Sequence, residues 1–94
     1  MTLDQFIDES LRQSKLKGYS PTAFLRMRAT RGTVEAVRRL VQTSDRHSGF
    51  VRLRTLDLLD WSLEAAVLRF PGEPGFTRET VAYAKARLDG ILDA

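Results

Sequence analysis

Residues 18–42, GYSPTAFLRMRATRGTVEAVRRLVQ, decide the fold because they contain the start and stop signals of two successive helices. Ser20 followed by Pro21 gives an N-cap and a favoured first helical residue, so a second helix is expected to start here. It is expected to end near Gly32, a residue type that commonly stops helices. Thr33 is the expected N-cap of a third helix. The apolar residues of that helix recur at helical spacing: Val34, Val37, Leu40 and Val41.

The segment before Gly18 predicts a first helix from about Leu3 to Lys17. Its apolar side chains are spaced at i, i+3, i+4 and i+8, which places them on one helical face: Leu3, Phe6, Ile7 and Leu11. Thr2 is the expected N-cap, because its hydroxyl can accept a hydrogen bond from the first turn. The N-terminal half of the chain is therefore expected to form three consecutive helices.

The following segment is more ambiguous. Residues 43–49 contain no apolar side chain and are expected to form an exposed loop. A short helix over about Gly49–Thr55 is favoured next, although Phe50–Leu53 also tolerates a strand. The apolar density of Trp61–Arg69 predicts a largely buried central helix, with Asp60 as its expected N-cap.

Residues 70–75, FPGEPG, form the clearest loop in the chain. Thr77 is the expected N-cap of a last helix, whose buried stripe is predicted to be Val81, Ala84, Leu88, Ile91 and Leu92. Taken together, these patterns predict an all-α fold, a compact single-domain bundle of five to six short helices over residues 1–94.

The residue types exclude most catalytic chemistry. The chain has no cysteine, so disulfide scaffolds, thiolate zinc sites and iron–sulfur clusters are excluded, and a single His47 excludes any site that needs two imidazoles. Asp45, His47 and Ser48 offer an acid, a base and a hydroxyl, but such close neighbours in sequence rarely converge as a triad, so a solvated loop is favoured. Asp57 and Asp60 are better explained as a turn residue and a cap. We therefore expect no metal, no cofactor and no enzymatic activity.

The charge of the chain is concentrated in its middle. Residues 12–54 hold eleven basic and two acidic side chains, a net charge of +9, whereas residues 1–11 and 55–94 each carry −3. Nine of the eleven bases are arginines, whose planar guanidinium suits carboxylate and phosphate recognition. The overall charge of +3 hides this division, which predicts that a partner is met by the segment from Arg12 to Arg54.

Seven basic residues of the first three helices are the expected partner-binding or nucleic-acid-binding residues: Lys15, Lys17, Arg26, Arg28, Arg31, Arg38 and Arg39. We favour a non-catalytic interaction module that docks on a protein partner. Direct nucleic-acid binding through the Arg12 to Arg54 surface is the alternative, because clustered cations form the electrostatic footprint of such proteins. Arginines paired with the acidic ends of the same chain, and a dimer that joins acidic ends to basic middles, also stay open.

The N-terminal residues suggest a cytoplasmic protein. MTLDQFIDES at residues 1–10 carries acids where a secretory signal would carry bases. The sequence also contains no apolar run that approaches the roughly 20 residues of a membrane span. We therefore expect a soluble, cytoplasmic protein without membrane contact.

Several blocks of the sequence resemble one small, poorly characterised bacterial helical domain. The similarity runs over about residues 16–90, in the blocks GYSPTAFLRM, GTVEAVRRL, SGFVRL, LDWSLEAAVL and FTRETVAYAKARL. Domains of this kind are found alone or attached to nuclease or restriction-type proteins. The resemblance implies a helical fold and an accessory or regulatory role in a bacterial defence or mobile-element system, without catalytic residues. The chain departs from the pattern at Arg31 and at residues 54–56.

Overall fold

Helices make up all the regular secondary structure in the part of the chain that the computed structural model describes, residues 1–42 and 48–90. They are α1 (Leu3–Leu16), α2 (Thr22–Arg31), α3 (Thr33–Val41), α4 (Ser48–Thr55), α5 (Leu63–Arg69) and α6 (Arg78–Leu88), with a 3-10 turn at Leu59–Trp61. The predicted all-α bundle is confirmed, and the fourth segment is a helix rather than a strand. Within these residues no helix is both long and apolar enough to cross a bilayer.

Some of the predicted features fall outside the described residues. They are residues 43–47 of the expected loop, which include Asp45 and His47, and Ile91 and Leu92 of the expected last helix. The loop hypothesis for residues 43–47 and the hypothesis of a site at His47 therefore stay predictions. Ser48, which the sequence assigns to the loop, belongs to α4, and so does Gly49, the expected start of that helix.

Two helices begin with the side-chain caps that the sequence predicts. At α1, the Thr2 hydroxyl accepts a hydrogen bond from the Gln5 backbone at 3.2 Å, and the Gln5 side chain accepts one from the Thr2 backbone at 2.8 Å. At α6, Thr77 and Thr80 form the same reciprocal pair. Each capping box satisfies backbone N–H groups that have no partner within the helix.

Three predicted caps are wrong. The N-cap of α2 is Pro21 rather than Ser20, and it makes no side-chain hydrogen bond. Gly32 takes the N-cap position of α3 with a φ of +87°, so Thr33 becomes the first helical residue. The 3-10 turn at 59–61 takes up Asp60, and Ser62 caps α5 instead, accepting a hydrogen bond from Ala65 N at 3.0 Å.

One hydrophobic core joins α1, α2, α3, α5 and α6. Its buried members are Leu3, Phe6, Ile7, Phe24, Ala36, Val37, Val41, Ala66, Val67, Phe76 and Ala84. Helix α5 is central, because it packs against α1, α3 and α6. The predicted central position of this segment is therefore confirmed. Trp61 is half-buried and packs on Phe6, with 5.1 Å between the ring centroids.

The buried face of α6 differs from the predicted apolar stripe. Thr80, Ala84 and Arg87 are buried, whereas Val81 and Leu88 are only half-buried. Arg87 reaches Glu64 of α5, with 3.4 Å between Nη1 and Oε2, and both side chains are fully buried. The apolar pattern missed this face because two of its three buried side chains are polar.

Candidate functional site

The predicted binding residues separate into two groups. The first group, Arg28, Arg38 and Arg39, forms ion pairs with acidic residues of the same chain. Arg28 binds two of these acidic residues. Its Nη1 donates to Asp8 Oδ1 at 3.0 Å, and its Nη2 donates to Asp4 Oδ1 at 3.1 Å. Its Nε donates to the Thr33 hydroxyl at 2.9 Å, and that hydroxyl donates to Asp4 at 2.6 Å. Hydrogen bonds from Thr33 and then Arg28 lower the pKa of Asp4. Arg28 therefore connects α2 to α1 and to the start of α3.

Arg38 and Arg39 converge on Glu35 in α3. Arg39 Nε donates to Glu35 Oε1 at 2.7 Å, and Arg38 Nε donates to Oε2 at 3.2 Å, with Arg38 Nη2 also bonded to Oε1. These hydrogen bonds, from Arg38 first and Arg39 second, lower the pKa of Glu35 to about 2. A carboxylate that stays ionised thus lies beside both arginines.

The second group contains the four remaining predicted residues, Lys15, Lys17, Arg26 and Arg31. All four are exposed, and none forms an ion pair within residues 1–42 and 48–90. Arg31 is the last residue of α2. The other three lie near a groove that the sequence did not reveal.

The groove lies between α1, the N-terminal end of α2, α4 and the 3-10 turn, and its volume is about 190 Å³. Its lining is mostly apolar and includes Ile7, Leu11, Phe24, Leu40, Leu53 and Leu63. No acidic side chain is among the described residues that line it. Such a concave, apolar surface with a few polar groups is the usual form of a binding site.

Hydroxyl groups supply the polar part of the lining. Ser10 lies on α1, and its hydroxyl donates a hydrogen bond to the Trp61 carbonyl, so its proton is not available to a ligand. Ser14 is buried one turn further along α1 and also lines the groove. The backbone N–H of Tyr19 donates to the Ser14 carbonyl at 2.9 Å, which holds the turn after α1 against the groove.

Tyr19 and Arg52 form a cation–π contact at one end of the groove. The guanidinium carbon of Arg52 lies 6.0 Å from the centroid of the Tyr19 ring, which itself lines the groove. Burial raises the pKa of Tyr19, and the charge of Arg52 opposes this effect. The phenol therefore stays protonated at neutral pH and retains a hydroxyl donor next to a cation.

We define the cationic rim as four cations that lie one helical turn from residues of the groove lining or contact one of them: Lys15, Lys17, Arg26 and Arg52. On α1, Lys15 lies one turn beyond Leu11, and Lys17, its C-cap residue, one turn beyond Ser14. Arg26 lies one turn along α2 from two groove residues, Thr22 and Ala23. The rim therefore consists of cations from three helices that adjoin the lining of one groove.

Arg52 and Tyr19 were not among the predicted binding residues. Arg52 contributes only to the count of the basic segment of residues 12–54. The two residues meet because the α1–α2 turn contacts α4. No spacing in the sequence specifies this contact.

No protein-family model matches the sequence, and neither a curated protein nor a solved structure shows significant similarity to it. Over residues 1–42 and 48–90, no three His, Cys, Asp or Glu side chains lie close enough together to hold a metal ion. The groove and its cationic rim are therefore the features from which a function is inferred.

Proposed function

We propose that the chain is a small, non-catalytic interaction module that binds an acidic segment of a protein partner through its cationic rim. The observation that carries this proposal is the contrast between the two groups of cations. Arg28, Arg38 and Arg39 hold carboxylates of their own chain. The rim cations have no such ion pair within the described residues, although all four adjoin residues that line one groove. A partner's carboxylates can satisfy them.

Several carboxylates favour a protein partner over nucleic acid. Glu35 stays ionised beside the two arginines of α3, and Asp4 and Asp8 remain about two-thirds exposed beside Arg28. These three carboxylates balance the charges of Arg28, Arg38 and Arg39, so a phosphate backbone laid across α2 and α3 would meet little net attraction there. A peptide segment needs to engage only the rim, where the lining contains no acid.

A separate partner is also favoured over a second copy of this chain. A dimer that joins the acidic N-terminal end to the basic middle needs Asp4 and Asp8 as ligands, but Arg28 of the same chain already binds both. An accessory or regulatory role in a bacterial defence or mobile-element system, as the resemblance implies, is the setting we propose for this partner.

The experiment is a selection of random dodecapeptides displayed on phage, followed by affinity measurement on one synthetic peptide. We expect the selected peptides to be enriched in Asp and Glu. The double variant K17E/R52E should bind the peptide at least about tenfold more weakly, since two attractions become repulsions. The control R78E/K85E makes the same change in net charge on α6 and should bind as the wild type does.

Two results would overturn the proposal. One is a selection that yields no acidic peptides, and the other is equal loss of binding in K17E/R52E and R78E/K85E. The second result would mean that only the net charge of the chain matters. Fluorescent single-stranded and duplex oligonucleotides serve as competitors, and nucleic acid that displaces the peptide at physiological salt would favour the nucleic-acid hypothesis instead.

A further inference from the structure

We infer that the groove receives one apolar side chain of the partner, close in sequence to the acidic residues that the rim binds. This inference rests on the proposed function and adds the second half of the recognised motif. The partner segment would then carry an apolar anchor flanked by Asp or Glu. The groove would select the partner segment by its apolar side chain, and the rim cations would attract its carboxylates.

The size of the groove favours a side chain over a small-molecule ligand. Its volume of about 190 Å³ is below the roughly 300–1,000 Å³ of pockets that hold drug-sized molecules. Leu11, Leu40, Leu53 and Leu63 offer aliphatic surface to an occupant. Buried apolar anchors in pockets of this kind are what dominate the affinity of protein interfaces.

The chain leaves apolar surface uncovered in the groove and beside it. Trp61 and Leu63 line the groove and are only half-buried, and Ala23 is exposed. Leu16, between the two lysines of the rim, is 69% exposed. Apolar surface surrounded by charged residues is the usual composition of a protein–protein interface.

The charges around the groove determine the chemistry of its occupant. Tyr19 lines the groove and lies against Arg52, so a carboxylate that pairs with Arg52 is placed to accept a hydrogen bond from the Tyr19 hydroxyl. The side chain next to that carboxylate then lies over the apolar lining. Asp60, the residue before Trp61, is exposed at the 3-10 turn and would repel an acid there. The acids are thus expected at the rim, not at the Trp61 end.

The test uses the selected dodecapeptides and two tryptophan substitutions on α2. Ala23→Trp places an indole at the groove, whereas Ala29→Trp places one on an exposed position outside its lining. We expect A23W to weaken peptide binding at least tenfold and A29W to leave it unchanged. Replacing the shared apolar residue of the peptide by Ala should weaken its binding to the wild-type chain about thirtyfold, the loss typical of an interface hot spot. Equal urea midpoints of the two variants confirm that both fold.

The outcomes distinguish this inference from the proposed function. Selected peptides that share acids but no apolar residue would overturn the inference about the groove, and so would an A23W variant that binds the peptide as the wild type does. In either case, a loss of peptide affinity in K17E/R52E would still support binding at the cationic rim. If A23W lowers the urea midpoint, the inference is tested only by the affinity of the alanine-substituted peptide for the wild-type chain, because that substitution leaves the protein unchanged. An unaffected affinity of the Ala peptide would then overturn the inference.

Discussion

Glu64 of α5 and Arg87 of α6 form an ion pair inside the core, with 3.4 Å between Oε2 and Nη1 and no exposed surface on either side chain. A pair of charges in such surroundings is costly to desolvate, so its presence adds less stability than apolar residues of similar volume would. It does favour the way in which α5 and α6 meet, since a different packing would separate two buried opposite charges.

Breaking this pair should therefore destabilise the fold strongly. Arg87→Met is expected to cost about 3–5 kcal/mol of unfolding free energy, the range for removing one partner of a buried pair. The double variant E64L/R87M should recover most of that loss. Urea unfolding followed by circular dichroism measures both, with E9Q, at an exposed pair with Arg12, as the control with little change. A loss in R87M no larger than that in E9Q would contradict a structural role for the pair.

Gly75 is predicted to be irreplaceable by alanine. Its φ is +101°, and a Cβ there would lie 2.6 Å from Val34 Cγ1. Gly75→Ala should lower the free energy of unfolding by about 1–3 kcal/mol, because the backbone strain and the clash with Val34 act together. Gly72→Ala is the matched control in the same loop, because nothing lies within 4 Å of its Cβ position. Equal thermal midpoints for the two variants would show that the contact with Val34 is absent in solution.

The pairing of Glu35 with Arg38 and Arg39 predicts a pH dependence of stability. The pKa of Glu35 is lowered from 4.5 to about 2, so its contribution is complete above about pH 4.5 and disappears as the pH falls through 2. Glu35→Gln should therefore be less stable than the wild type at pH 7, and the difference should shrink as the pH falls below 4.5. A difference that is the same at pH 7 and pH 2 would contradict the pairing.

The Thr33 hydroxyl is expected to be the main cause of the lowered pKa of Asp4. Its hydrogen bond to Asp4 has the largest effect, followed by that of Arg28. Thr33→Val should therefore raise the pKa of Asp4 toward its ordinary value of 3.8, as measured by NMR titration of the carboxyl carbon. Thr30→Val, on the neighbouring turn, should leave it unchanged. An unaltered Asp4 titration in T33V would place the cause elsewhere.

Local signals in the sequence predicted the helices well, whereas contacts between distant residues determined the site. Thr2 and Thr77 cap the helices that their neighbours predict, because the groups involved lie within one turn. Asp60 failed as a cap because a 3-10 turn precedes α5. The charge pattern identified a basic segment, but it does not say that Arg28 of α2 binds Asp4 and Asp8 of α1, which lie 24 and 20 positions earlier in the chain. It also does not say that Lys17 forms no ion pair within the described residues. Neither does it place Arg52 against Tyr19.

The central claim is that a binding site for an acidic segment lies at the cationic rim. The most direct measurement is the affinity of one selected acidic dodecapeptide for the wild type, K17E/R52E and R78E/K85E, by isothermal titration calorimetry at two salt concentrations. We predict at least a tenfold loss in K17E/R52E alone, and weaker wild-type binding at the higher salt. Unchanged affinity in K17E/R52E would contradict the claim.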